Sequence, residues 1–485
     1  MKFFYALLLL QIMCGGVTAQ EPCFKNVFCG LNFNNRIPGL TIATTYPDNP
    51  IAYGKASVKF KDVQYDENCC TTGCGYNCNS DIGVLKYHVY YPSNYPNYNT
   101  CPLPAVILFH GGAFNECGDF TNPNVRTLAE ELAYRGFVVF IVNYRRGVIP
   151  DGNSVTGSLP QVDYTSAQQL LAIYRACQDA RGAIRSIIKR EQDGLNTNYR
   201  INVNELIIGG LSAGSLIAMN SVYCQQPLMV NAVFGTRIQT DDGTANSVLG
   251  PINADYYYGT PDVEYFSRVK CVLNLWGGMF IPKSLISNIS GFLSLNTYLP
   301  PIISFQGVND DVFRIEQQGV YYSVGLSGVT DVVKENRCLI GTNYFSPRQL
   351  ATGSEDELDL YLIGAKNIYN SFKSLSVFTE VYFDCQMEHG LDCGGCTGDA
   401  NNYTKDKLCN ACVFASDFGT GLTTQEAVLA YIAGRGATFY QAMLGSITSS
   451  LSKSEFIECP NNRFGCSNIS DNPANCTNAS CLDNN

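Results

Sequence analysis

Three histidines occur in the 485 residues, and their order around one serine limits what they could do. His88 and His110 precede the pentapeptide Gly210-Leu211-Ser212-Ala213-Gly214, and only His389 follows it. The pentapeptide fits G-x-S-x-G, the strand-to-helix turn that lifts a serine hydroxyl above an α/β sheet. A serine hydroxyl is barely ionised at neutral pH, so an imidazole must take its proton during attack. This architecture orders its partners as serine, acid, histidine, which leaves His389 as the base. The acid must lie between the two. Gln306-Gly307-Val308-Asn309-Asp310-Asp311 follows an apolar run and so opens at the carboxyl edge of a sheet. Asp310, three residues past the glycine, is the candidate that would hold the His389 tautomer, with Asp311 its nearest rival.

Ester or amide cleavage passes through a tetrahedral oxyanion, which needs donors fixed where charge develops. His110-Gly111-Gly112-Ala113-Phe114 lies well upstream of the serine. Its glycines let the Gly111 and Gly112 backbone N–H groups approach that oxygen, and the Ala213 N–H completes the set. His110 itself reads as a hydrogen-bond donor that orders the loop. Cys393-x2-Cys396 and Cys409-x2-Cys412 have a spacing that would suit zinc in a cytosolic protein. In an exported chain they read as disulfides bracing the loop that presents His389, so neither metal nor cofactor is expected. Trp276 and Tyr256–Tyr258 read as core or lid packing.

The elements that position these groups alternate along the chain. Lys86–Tyr91 reads as a strand containing His88. Short apolar runs at 105–109, 137–142, 206–208, 272–276, 302–305 and 377–383 suit a parallel sheet covered on both faces. Helices are expected at 125–134, 166–188, 357–373 and 425–444. The second carries an apolar stripe at Leu170, Tyr174, Cys177, Ala180, Ile184 and Ile187, which puts Cys177 on a buried face as a candidate unpaired thiol. Stretches near 225–268 and 318–356 read as insertions beside the active-site edge.

The first 19 residues read as a secretory leader: Lys2, an apolar run from Phe3 to Met13, then small residues at Val17-Thr18-Ala19. The run is too short to span a membrane. The full chain carries a formal charge of −10, which disfavours nucleic acid as a partner. Twenty-two cysteines, all but Cys14 beyond the leader, imply disulfides and an extracellular location. Sequons at Asn288, Asn402, Asn468, Asn475 and Asn478 fit a glycoprotein. The expected organisation is a leader at 1–19, a Cys-rich lead-in at 20–84, a catalytic domain at 85–445 and a Cys- and Asn-rich tail at 446–485.

Together these motifs resemble the α/β-hydrolase superfamily, esterase/lipase class, and within it feruloyl and acetyl-xylan esterase-like carboxylesterases. The resemblance rests on Leu108–Phe114, Gly136-Phe137, Val142–Arg145, Tyr174–Arg181, Gly209–Gly214 and Asn274–Gly277, and covers roughly 85–445. It implies a mostly parallel, doubly wound sheet, a Ser212–Asp310–His389 triad, and oxyanion donors at Gly111, Gly112 and Ala213. It also implies a small-molecule or polysaccharide-linked ester as substrate, cleaved through an acyl-enzyme. This chain departs from the family at Ala113, where a third glycine is usual, and at Gln306, where many relatives carry His. The separation of 79 positions from Asp310 to His389 exceeds the usual spacing. Two other readings compete. A prolyl-oligopeptidase-type peptidase usually has Tyr where Ala213 stands. A catalytically inactive binding or adhesion protein usually loses the serine or histidine that this chain keeps.

Overall fold

The computed structural model describes residues 36–55, 84–95, 102–112, 114, 122–144, 166–234, 252, 264–307, 310, 313, 317–319, 360–384, 389 and 424–445. The expected leader, most of the Cys-rich lead-in, the tail, Ala113, Asp311, the Cys393–Cys412 pairs and every sequon but Asn288 lie outside these residues.

Nine strands form the main sheet: β1 (Ile42–Thr44), β2 (Ile51–Lys55), β3 (Val84–Pro92), β4 (Leu103–Phe109), β5 (Val138–Val142), β6 (Ile201–Leu211), β7 (Val269–Leu275), β9 (Ile302–Gly307) and β12 (Thr379–Asp384). Their order is β1-β3-β5-β4-β6-β7-β9-β12, with β2 also paired to β3. The six from β5 to β12 are parallel, and β3 joins them antiparallel. Every residue of β4, β5 and β9 is buried. That is why their sequences are nearly continuous apolar runs rather than alternations.

Register brings the carboxyl ends of these strands level. Phe109 pairs with both Val142 and Gly210, Leu211 with Leu275, Leu275 with Phe305, and Gly307 with Asp384. The residues that follow therefore emerge along one edge: His110, Asn143, Ser212, Trp276 and the loop carrying Asp310.

The helices cover the sheet. Helix α1 (Pro123–Ala133) has Pro at its start, and Asn122 Oδ1 accepts from the Asn124 N–H at 2.9 Å as its cap. Helix α2 (Ser166–Gln192) is buried all round from Ile173 to Ile187, not along a single stripe. Cys177 is buried there as a free thiol, and so are Cys224 and Cys271 elsewhere in the core. Helices α3 (Ala213–Tyr223) and α4 (Pro227–Phe234) follow the serine; α4 folds inside the stretch read from sequence as an insertion. A short α5 (Ile289–Leu293) precedes β9, and α7 (Thr424–Gly445) packs on α1.

One expected helix is corrected. The stretch 357–373 divides into strand β11 (Leu360–Ile363) and helix α6 (Ala365–Ser374), with Gly364 between them. Leu360–Ile363 is short and apolar, and it pairs antiparallel with β8 (Met279–Pro282) and β10 (Gln317–Gly319). Those cross-strand partners lie far away in sequence, so local periodicity did not reveal them. In the sequence, β10 and β11 of this small sheet flank residues 320–359, which lie outside the described residues. Among the described residues no helix is long and apolar enough to cross a membrane.

Candidate active site

Ser212 stands between β6 and α3 with φ 55° and ψ −121°. A non-glycine residue is held there only when its surroundings over-determine it. The Ser212 N–H donates to the Leu275 carbonyl at 2.8 Å, and its own carbonyl accepts from Ser215 N at 2.9 Å and Leu216 N at 3.1 Å. The turn is tight because its glycines have no side chains. A Cβ on Gly214 would fall 2.0 Å from the Phe109 carbonyl oxygen, and one on Gly210 would fall 2.3 Å from the Gly214 carbonyl carbon.

His389 reaches this serine from beyond β12. Its Nδ1 faces both Asp310 oxygens, Oδ2 at 3.0 Å and Oδ1 at 3.1 Å. A carboxylate only accepts, so Nδ1 carries the proton and Nε2 is left as the acceptor. Ser212 Oγ–H then donates to Nε2 at 2.7 Å. Asp310 is fully buried at its side chain, whereas the His389 side chain keeps 21% exposure. The Phe313 N–H donates to Asp310 Oδ1 at 2.7 Å, and the Phe313 ring stacks on the imidazole at 5.5 Å and 24°. Phe313 was missed from sequence, because an apolar residue three past an acid carries no signal of contact with a distant histidine.

The glycine loop packs against the serine. A Cβ on Gly111 would meet the Leu211 carbonyl oxygen at 3.1 Å and Ser212 Cβ at 3.3 Å, so the bare backbone passes close to the hydroxyl. Gly112 takes φ 121°, a conformation side chains rarely adopt. Ala213 begins α3, where backbone N–H groups point out of the helix end. His110 is buried beneath the loop. Its Nδ1 donates to the Gly111 carbonyl at 2.7 Å, and Nε2 lies 3.2 Å from Asn143 Oδ1. The ring stacks on Tyr144 at 4.3 Å, and the Tyr144 hydroxyl donates back to the His110 carbonyl at 2.8 Å. Asn143 and Tyr144 were present in the sequence resemblance but had no role there; the β4–β5 register gives them one.

His88, the remaining histidine, is buried in β3 with Nδ1 3.3 Å from Thr45 Oγ1, away from Ser212 in the strand order.

No protein-family model matches the chain, and no curated protein matches it. Solved structures similar to it include an inhibited esterase B from Lactobacillus rhamnosis, 12% identical, covering 91% of this chain and 97% of that one at a TM-score of 0.36. Thermogutta terrifontis esterase 2 phosphonylated by cyclosarin is 14% identical, covering 80% and 98% at 0.34. A carboxylesterase from Lactobacillus plantarum WCFS1 is 12% identical, covering 74% and 94% at 0.36. Strand order, the level carboxyl edge and the serine turn between β6 and α3, rather than these distant likenesses, give the chain an α/β-hydrolase fold.

Proposed function

We propose that the chain is a serine carboxylesterase with Ser212, His389 and Asp310 as its triad. The observation that carries this is the continuous hydrogen-bonded path from Ser212 Oγ through His389 to the buried Asp310 carboxylate. As Ser212 Oγ bonds to the ester carbonyl carbon, Nε2 takes its proton. Asp310 steadies the resulting imidazolium. The oxyanion is received by the N–H groups of Gly111, Gly112 and Ala213. Collapse of the tetrahedral intermediate breaks the bond to the alcohol, which leaves with the proton from Nε2. Water, activated by the same nitrogen, then releases the acid and restores Ser212.

A small-molecule or polysaccharide-linked ester is the proposed substrate class, in keeping with the sequence resemblance to feruloyl and acetyl-xylan esterase-like enzymes. Export is likewise proposed, from the leader signature at 1–19 and the cysteine content. The deciding experiment is fluorophosphonate labelling with peptide mapping, joined to a panel of nitrophenyl esters, feruloyl esters, acetylated xylan and peptide amides. Label on Ser212, and loss of hydrolysis by on the order of 10⁶ in Ser212→Ala, is the expected result. Label on another serine, or near-normal turnover in the variant, overturns the assignment. Preference for amides would favour a peptidase.

A further inference from the structure

Gln306 is the penultimate residue of β9, just before the acid loop, and it is only 2% exposed. Both ends of its amide are engaged. Nε2 donates to the Phe313 carbonyl and lies 3.5 Å from Asp310 Oδ2. Oε1 accepts from the Ala365 N–H at 3.0 Å. Ala365 is the first residue of α6, and its cap position is Gly364, which has no side-chain oxygen to offer. Gln306 therefore supplies, from another element, an acceptor for one of the N–H groups that open α6 without a partner inside the helix.

The other end of the amide bears on the reacting groups. Gln306 holds the Phe313 carbonyl, while the Phe313 N–H is bonded to the acid and its ring lies on the imidazole. Without the Nε2 donor, a buried carbonyl loses its partner, and the loop must shift to satisfy it. Any such shift carries the Phe313 N–H away from Asp310 and the ring away from His389.

We infer that Gln306 is a positioning residue for the proposed reaction. It holds Asp310 and Phe313 in register with His389 and references both to the start of α6. The inference rests on the esterase reading above. A purely structural role, as a cap for α6, makes different predictions, and two substitutions separate them. Gln306→Met keeps the side-chain length and loses both hydrogen bonds. Gln306→Glu keeps an oxygen for Ala365 N, but once ionised it cannot donate to Phe313 and it sets a second carboxylate beside Asp310.

The experiment measures melting temperature, kcat and KM on a nitrophenyl ester, the pH profile of kcat/KM, and the rate of fluorophosphonate inactivation. Below the pH at which it ionises, Gln306→Glu can keep both hydrogen bonds as the neutral acid and should melt closer to wild type than Gln306→Met does; above that pH the margin should be lost. Once that carboxyl is ionised, kcat should fall on the order of tenfold or more with KM little changed, because misplacement rather than binding is affected. Its acid limb should move to higher pH, since a second negative charge favours the imidazolium. Inactivation by the phosphonate should slow in parallel. A Gln306→Glu enzyme with wild-type kcat and an unmoved acid limb would reduce Gln306 to a helix cap and overturn the inference. Should Gln306→Met fail to fold, the Glu variant carries the test. If wild-type Ser212 is not labelled, the esterase reading falls and this inference with it; normal labelling with indifferent Gln306 variants removes the inference alone.

Discussion

At Ser212 the backbone is held at a positive φ by three hydrogen bonds and by two glycines whose missing side chains leave room for the turn. Such conformations cost on the order of 1–3 kcal/mol and persist only where packing enforces them. Gly214→Ala should therefore do more than slow the proposed hydrolysis. Its Cβ would overlap the Phe109 backbone, which a flexible side chain cannot relieve. We expect little soluble protein, or a melting temperature far below wild type; a normally melting Gly214→Ala would show that β4 can yield. Asp310→Asn should behave in the opposite way. The amide oxygen can still accept from Phe313 N, so the fold is kept, but the His389 tautomer is no longer enforced. A loss of up to about 10⁴-fold in kcat with a native circular-dichroism spectrum is expected. Activity near wild type would mean that another group orients His389.

Among the elements, α1 is joined to its neighbours through Glu131. This carboxylate accepts from Arg135 Nη1 at 2.6 Å and from Arg36, and Arg135 Nη2 donates to the Ala430 carbonyl on α7 at 3.0 Å. Burial pushes the Glu131 carboxyl up, but the hydrogen bonds from Arg36 and Arg135 outweigh it and hold the group below its ordinary 4.5. A depressed carboxyl contributes stability that is present above pH 4.5 and is lost as pH falls through the folded value. Glu131→Gln should cost about 3–5 kcal/mol near neutrality, because it leaves Arg135 buried without its carboxylate. It should also flatten the decline in melting temperature below pH 4.5; an unchanged acid slope would place that decline elsewhere. Glu205 has the opposite sign. Burial raises its carboxyl, while the Tyr440 hydroxyl donates to it at 2.9 Å. The folded chain thus holds this proton longer than the unfolded one, and stability falls as pH rises from 4.5 through the raised value. Glu205→Gln should remove that fall and keep the Tyr440 bond. Urea midpoints compared across the acid range test this, and an identical wild-type slope in the variant would exclude Glu205 as its source.

Across the whole molecule, cysteine use divides in two. Cys177, Cys224 and Cys271 are free and buried, and burial pushes the Cys177 and Cys224 thiols up to about 12. Thiols of that kind are inert until the core opens. The twenty-two cysteines less Cys14 of the proposed leader and these three leave eighteen, an even number, all outside the described residues. If export pairs them as proposed, a thiol reagent should find none in the native mature chain and three after unreduced denaturation. More than three would contradict full pairing.

Much of this was legible in residue order. Ser212 and His389 followed from a glycine-flanked serine and the lone histidine beyond it, because a tight turn and a scarce residue type are local facts. The parallel strands followed from short apolar runs, since burial on both faces leaves its mark on each strand separately. The three-stranded sheet of β8, β10 and β11 was not legible, and a helix was expected where β11 lies. Nor were the tasks of Gln306, Phe313, Asn143 and Tyr144. A side chain's partner across the sheet depends on register, and register is set by the packing of the whole core rather than by any neighbour in the chain. Residue types and their order determined which groups could do chemistry. The tertiary structure alone decided that β6, β9 and β12 end level, and so which carboxylate lies 3.0 Å from the imidazole that faces Ser212.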